Sequence, residues 1–183
     1  TFITKNINEA FRITGYSNEL SSITIKVNNV VVQTELNVNR STFQYTPTTA
    51  GTYTITIEAD NGVSTLTKTS TVVVCSTTSK NLAVSLHPGF KYGINYHTSD
   101  ATKVTLVLHA PTESIQSVHV IGDFTNWQVD CNNLMNWDAT KKVFWKEISG
   151  LTSGQEYVFQ YLIDGSTRIG DPYTEKISDP WND

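Results

Sequence analysis

The chain has 183 residues, a hydrophobic fraction of 38% and a formal net charge of −4, and its 13 Lys and Arg residues form no basic run. This length suits one or two domains. Without a basic run, nucleic acid and anionic membrane surfaces lose their electrostatic attraction, and no apolar stretch reaches the roughly 20 residues of a membrane-spanning helix. We therefore expect no nucleic-acid partner and no membrane span.

Alternating apolar and polar residues predict antiparallel strands in the first half of the chain. Residues 23–27 alternate Ile, Ile and Val with polar side chains, and Asn28-Asn29 is a turn signal before the next apolar run. Residues 53–59 alternate strictly, which is typical of a strand with one buried face. Asp60-Asn61-Gly62 then predicts a tight turn into a strand over residues 64–74.

The segment before Tyr53 resembles the corner of immunoglobulin-like sandwiches. There, a Tyr near the start of a late strand is tied back to the backbone, and residues 47–51 supply the preceding turn. Seven short strands without helical periodicity predict an immunoglobulin-like domain over residues 1–75. The small, polar residues 76–80 are typical of a linker.

The second half also reads as strands separated by turns, and it predicts a second sandwich over residues 81–183. A turn at residues 87–89 precedes strands expected at residues 103–110, 115–121, 143–148, 156–163 and 167–169. The predicted fold class is therefore all-β, with two tandem immunoglobulin-like antiparallel β-sandwiches.

Catalytic and metal chemistry find little support in the sequence. Asp123 and Asp164 follow strands at turns, where Asp bonds to nearby backbone, so we expect no catalytic carboxylate pair. The four His residues show no metal spacing, and nothing implies a metal or another cofactor. We expect Cys75 and Cys131 to be two free or buried thiols, with a bridge between them as the alternative.

The second half contains several motifs of one known family. They are residues 122–127 (Gly-Asp-Phe-Thr-Asn-Trp), Phe144-Trp145, the segment from Tyr157 to Gly165, and Asp171-Pro172. Together they resemble carbohydrate-binding module family 48. The tail from Arg168 to Asp183 looks like the passage from this sandwich into the barrel of α-amylase-type enzymes, glycoside hydrolase family 13, from gut Bacteroidetes.

The resemblance implies a role beside an enzyme. The chain would be the non-catalytic amino-terminal region of a secreted, periplasmic or cell-surface bacterial hydrolase of starch or glycogen. Its partners would be the catalytic barrel of the same polypeptide, beginning after Asp183, and weakly an α-glucan.

The resemblance also assigns candidate carbohydrate-binding residues. Trp127 takes the place of a sugar-stacking Trp, Gln160 that of a binding Lys, and Asp164 begins the Asp-Gly turn of the motif. A second stacking Trp of the family would fall near Thr167 or Arg168, so one aromatic platform is kept and one is lost.

Two further aromatic residues, Tyr173 and Trp181, each follow an Asp-Pro pair. An extended turn there would project the ring outward, so we interpret both as candidates for docking on a partner domain, with glycan stacking as the alternative.

Alternatives remain open at this stage. Trp127 could be a platform for a sugar ring or a plug that caps the sandwich, and Trp145 could belong to the core or to the surface. The rival functions are a stand-alone starch- or glycogen-binding module and a structural adhesin fragment of immunoglobulin-like repeats.

Overall fold

The computed structural model of the chain describes residues 2–110, 114–174 and 176–177, without the side chains of residues 2 and 3. Twelve β-strands and three short 3₁₀ turns occur in this part of the chain, which contains no α-helix. The prediction of an all-β protein is confirmed. The chain divides into two compact units, Thr1–Ser76 and Thr77–Asp183.

The first unit is a five-stranded sheet with the order β1-β5-β4-β2-β3. Strand β1 pairs in parallel with β5, and the other neighbours are antiparallel. The strands are β1 (Phe2–Asn6), β2 (Phe11–Val27), β3 (Val30–Tyr45), β4 (Gly51–Asp60) and β5 (Thr65–Cys75).

Two of the predicted turns of this unit join neighbouring strands, as expected. Val27 pairs with Val30 across a two-residue loop in which Asn28 and Asn29 both have positive φ, at 50° and 66°. This conformation is the one that Asn tolerates best after Gly, and it suits the twist of a hairpin. The turn between β4 and β5 is held by Asn61, whose Oδ1 accepts from two backbone N–H groups.

The first unit has five strands instead of the seven expected. Strand β2 continues through register shifts between Tyr16 and Ile23. Its first half pairs with the end of β3, and its second half pairs with the start of β3 on one side and with β4 on the other. The first half packs on the common core, where the Gly15 Cα position leaves room for Ile57. Strands β2 and β3 are therefore long, irregular strands where the sequence predicted shorter ones.

The predicted tyrosine corner is confirmed. The Tyr53 hydroxyl donates to the Thr49 carbonyl oxygen at 2.9 Å and lies 2.9 Å from Thr49 Oγ1. The ring is buried in the core of the first unit, beside Tyr45. This bond ties the start of β4 to the loop that precedes it.

The second unit is a sandwich of two antiparallel sheets, with the orders β6-β7-β10-β9 and β12-β11-β8. The large side chains of its core come from both sheets, among them Leu106, Phe144 and Tyr161. The strands are β6 (Gly93–Tyr96), β7 (Val104–His109), β8 (Val118–Gly122), β9 (Asn136–Asp138), β10 (Val143–Ile148), β11 (Phe159–Ile163) and β12 (Thr167–Ile169).

The segment between the units is structured at its end. Ser79–Asn81 forms a 3₁₀ turn, and the buried Ser79 hydroxyl bonds to the backbone N–H and carbonyl of Val118. Lys80 places its ammonium 3.6 Å from the ring centroid of Trp137, a cation–π contact on a core side chain. Residues 79–81 therefore belong structurally to the second unit.

The expectation of two free thiols is wrong, because Cys75 and Cys131 are both disulfide-bonded. Cys75 is the last residue of β5, and Cys131 begins the 3₁₀ turn Cys131–Asn133. The distance between the two cysteines in the sequence did not predict their oxidation state.

No helical segment in the described part of the chain has the length and apolar character that a membrane crossing requires.

Candidate functional site

The Trp127 loop begins where β8 ends. Gly122 leads into the 3₁₀ turn Asp123–Thr125, and Thr125 Oγ1 bonds to both the N–H and the carbonyl oxygen of Gly122, at 3.0 and 2.9 Å. Asn126 and Trp127 follow with positive φ, at 49° and 57°. Two consecutive non-glycine residues in this region are uncommon and mark a sharply reversed loop.

Asp123 fixes the Trp127 side chain. The indole Nε1 donates to Asp123 Oδ1 at 2.9 Å, and the Val158 N–H donates to Asp123 Oδ2 at 2.8 Å. The Asp123 N–H in turn donates to the Val158 carbonyl oxygen. One carboxylate thus holds the ring to the chain that enters β11, and Trp127 is partly buried. With its N–H committed, the indole offers a ligand only its apolar faces.

Two other candidates lie on one face of the three-stranded sheet. Gln160 is partly buried and pairs with Ile121, one residue before the Gly122 that ends β8. Arg168 on β12 is exposed and pairs with Leu162. Because side chains alternate along a strand, Gln160, Leu162 and Arg168 share a face. Gln160 is therefore the candidate nearest along the sheet to the Trp127 loop.

The structure separates Asp164 and Thr167 from Trp127. Asp164 lies in a turn as predicted, but its Oδ1 accepts from the backbone N–H groups of Gln116 and Ser117, at 2.9 and 2.8 Å, on the segment that enters β8 and not within its own turn. This hairpin lies four residues along β11 from Gln160, or about 13 Å at the rise of an extended strand. The five carbohydrate-binding candidates therefore do not form one cluster.

The tail after β12 packs back on its own unit. Asp171 is buried, and its Oδ1 accepts from the Tyr173 N–H at 3.0 Å. Burial raises the pKa of Asp171. Tyr173 is 42% exposed, with its ring centroid 5.3 Å from that of Tyr92. Trp181, the other docking candidate, lies outside the described residues.

The remaining two tryptophans have different surroundings. Trp137 is buried in the core cluster. Trp145 is partly buried on the opposite face of its sheet, where it packs against a small cluster of Leu86, Val107 and Val143. It lines a groove of about 640 Å³, whose walls also include Leu86, His87, Phe90, His97 and Glu147.

Sequence reasoning missed this groove. The strand predicted at residues 143–148 supplies Trp145 and Glu147, but the other wall comes from the loop before β6. No local pattern indicated that this loop crosses β7 and β10. Within the described residues, the groove included, no group of three or more His, Cys, Asp or Glu side chains could hold a metal ion.

No protein-family model matches the chain, and no curated protein matches it in sequence. Among solved structures, it is similar to fibronectin(III)-like modules of Clostridium thermocellum CbhA, at 13% identity and a TM-score of 0.39, over 91% of this chain and 85% of that one. It is also similar to part of a group B Streptococcus pullulanase, SAP, in complex with maltotetraose, at 12% identity and a TM-score of 0.31 over 94% of this chain. A third is Bacteroides uniformis β-glucuronidase 3, at 11% identity and a TM-score of 0.35 over 92% of this chain. The chain spans about a quarter of these two enzymes, 23% of each.

Proposed function

We propose that this chain is a non-catalytic accessory region of a bacterial α-glucan hydrolase of the α-amylase type. In this proposal the second unit adjoins the catalytic barrel of the same polypeptide and contacts α-glucan weakly through Trp127. The protein would act outside the cytoplasm, where starch or glycogen is available. The first unit would serve as a spacer or an interaction module.

The observation that carries the proposal is the fixed, partly buried indole of Trp127. Its N–H is bonded to Asp123, whose second carboxylate oxygen is bonded to the Val158 N–H. An aromatic ring held in advance on a loop loses little side-chain entropy when a ligand stacks on it. A pyranose ring has an apolar C–H face that suits such a surface, and the nearby Gln160 offers both a donor and an acceptor for hydroxyl groups.

The separation of the candidates explains why the contact would be weak. Asp164 and Thr167 lie at the far hairpin, so a single sugar ring on Trp127 cannot also reach them. One aromatic platform with one amide is a small site, and small sites yield little free energy after the costs of association. The proposal therefore gives the second unit mainly an orienting role beside the barrel.

The glucan contact is tested by titrating the chain with maltoheptaose and following tryptophan fluorescence. We expect Trp127→Ala to weaken apparent binding by about fivefold or more, because it removes the stacking surface. Tyr96→Ala is the matched control, since Tyr96 is a 77% exposed aromatic residue of the same unit on the other sheet. Binding that is the same in Trp127→Ala and the native protein would overturn the role of Trp127.

The coding sequence beyond residue 183 tests the link to an enzyme. The proposal expects alternating strands and helices of a barrel there. Further β-sandwich repeats would favour a structural adhesin. A stop codon, combined with measurable maltoheptaose binding, would favour a stand-alone binding module.

A further inference from the structure

A second aromatic surface lies on the outer face of the four-stranded sheet in the second unit. Trp145 pairs with Val107, and Glu147 pairs with Thr105, so these four side chains share the face that points away from the main core. The loop before β6 crosses this face, because its Leu86 and Phe90 pack with Val107 and Trp145. Between the loop and the sheet lies the groove of about 640 Å³.

The groove presents the Trp145 ring, which a hydrogen bond holds in place, beside the ring of Phe90. Trp145 Nε1 donates to the Val84 carbonyl oxygen at 2.8 Å, so its indole cannot turn without losing that bond. The Phe90 ring centroid lies 5.6 Å from that of His97 and 6.0 Å from that of His87. A volume of this size falls within the range of about 300–1,000 Å³ that is usual for small-molecule sites.

One wall of the groove carries polar groups whose charges offset each other. His97 Nε2 lies 2.9 Å from Thr105 Oγ1 and 4.0 Å from Glu147 Oε2. The Lys103 ammonium lies 3.4 Å from Glu147 Oε1. A bare anion would meet the Glu147 carboxylate. For a bare cation, Lys103 already offsets the charge of that carboxylate from outside the groove lining. A neutral ligand rich in hydroxyl groups can donate to the carboxylate and accept from the imidazole without bringing in charge.

We propose that this groove binds a neutral saccharide, with the apolar face of a pyranose ring against Trp145 and Phe90 and its hydroxyl groups bonded to Glu147 and His97. Rings beside offset polar groups match both surfaces of a sugar, whereas a purely apolar ligand would leave the polar wall unsatisfied. The ligand class rests on the proposed function, in that the saccharide is taken to be an α-glucan. The site itself is independent of Trp127.

The test is an NMR titration with maltoheptaose that observes the indole ¹H–¹⁵N signals of the four tryptophans, each assigned through its Trp→Phe variant. We expect the Trp145 signal to shift in a saturable manner in the native chain and in Trp127→Ala. Glu147→Ala should weaken the association that Trp145 reports by about fivefold, the loss of one hydrogen bond. Glu156→Ala is the matched control: this exposed carboxylate, in the loop before β11, pairs with Lys176 and should leave the association unchanged.

The outcomes separate this inference from the proposed function. A shift at Trp127 with an unmoved Trp145 signal overturns the groove alone. A shift at Trp145 with an unmoved Trp127 signal supports the groove and overturns the Trp127 contact. Two unmoved signals overturn both. Equal weakening by Glu147→Ala and Glu156→Ala would also count against the groove, because the carboxylate at its wall would then have no particular role.

Discussion

Gly122 illustrates, for a single residue, that a sequence motif predicts a turn but not the packing that requires glycine there. The Gly-Asp pair predicted a turn at the end of a strand, and the turn is present. The reason for glycine is different: φ is 176°, extended backbone that any residue can adopt. A Cβ here would collide with the Val158 carbonyl oxygen and approach the Phe159 Cβ to 2.8 Å. That requirement comes from the neighbouring strand, so local sequence could not reveal it.

We expect Gly122→Ala to lower the free energy of unfolding by about 1–3 kcal/mol, the usual cost of forcing a methyl group into a packed site. The clash is with backbone, which cannot move aside like a side chain. Gly170→Ala is the matched control, because its Cβ would meet no atom within 4 Å. Urea unfolding followed by circular dichroism measures both, and equal stability of the two variants would contradict the argument.

At the scale of elements, sequence predicted what short-range patterns determine. The loop at Asn28-Asn29, the turn after β4 and the corner at Tyr53 each depend on a few adjacent residues. Sequence patterns did not predict the short strands β1, β6 and β9. The equally short β12 was predicted, because the Asp-Gly turn at Asp164 precedes it. The prediction of seven short strands also missed the full length of β2 and β3, because periodicity reports which face a side chain takes and not whether a strand continues through a bulge.

Short-range patterns also limited how much of the candidate site could be predicted. The Trp127 loop follows from its own residues. The distance between Gln160 and the Asp164 turn depends on how β8, β11 and β12 pair, which only the register reveals. The order of the motifs along the chain therefore could not show that Gln160 and Asp164 lie toward opposite ends of β11.

The corner at Tyr53 leads to a prediction for the first unit. Tyr53→Phe keeps the buried ring and removes the hydroxyl that bonds to Thr49. We expect a loss of about 1 kcal/mol in the free energy of unfolding, the typical net contribution of such a hydrogen bond. Tyr16→Phe, at a Tyr that is 70% exposed, should cost much less in the same urea titration. A loss of similar size in both variants would argue against the corner as the cause.

For the molecule as a whole, two buried titratable groups, His119 and Asp171, make stability depend on pH in opposite directions. Burial lowers the pKa of His119 to about 4, the Asp130 carboxylate raises it in part, and the Lys146 ammonium lowers it slightly. Burial also raises the pKa of Asp171. Between pH 4 and 6.5, His119 is therefore protonated in the unfolded chain and neutral in the folded chain. For Asp171 the folded chain keeps a proton that the unfolded chain releases above about pH 3.8.

The lowered pKa of His119 therefore predicts that the free energy of unfolding decreases as the pH falls from 6.5 to about 4. The full contribution is on the order of 3 kcal/mol. Urea unfolding at several pH values should show a smaller loss in His119→Gln, and the difference between the two proteins cancels the opposite effect of Asp171. An NMR titration in which the His119 ring protonates near pH 6.5 would contradict this account.

Strand β1 has a protective consequence for the first unit. It covers residues 71–75 of β5, a segment with three consecutive valines and no charge. If β1 were displaced or cleaved away, β5 would expose a row of unpaired N–H and C=O groups next to apolar, β-branched side chains, the kind of edge on which other chains assemble into aggregates. The five residues of β1 thus cover an edge of β5 that would otherwise be open to pairing with other chains.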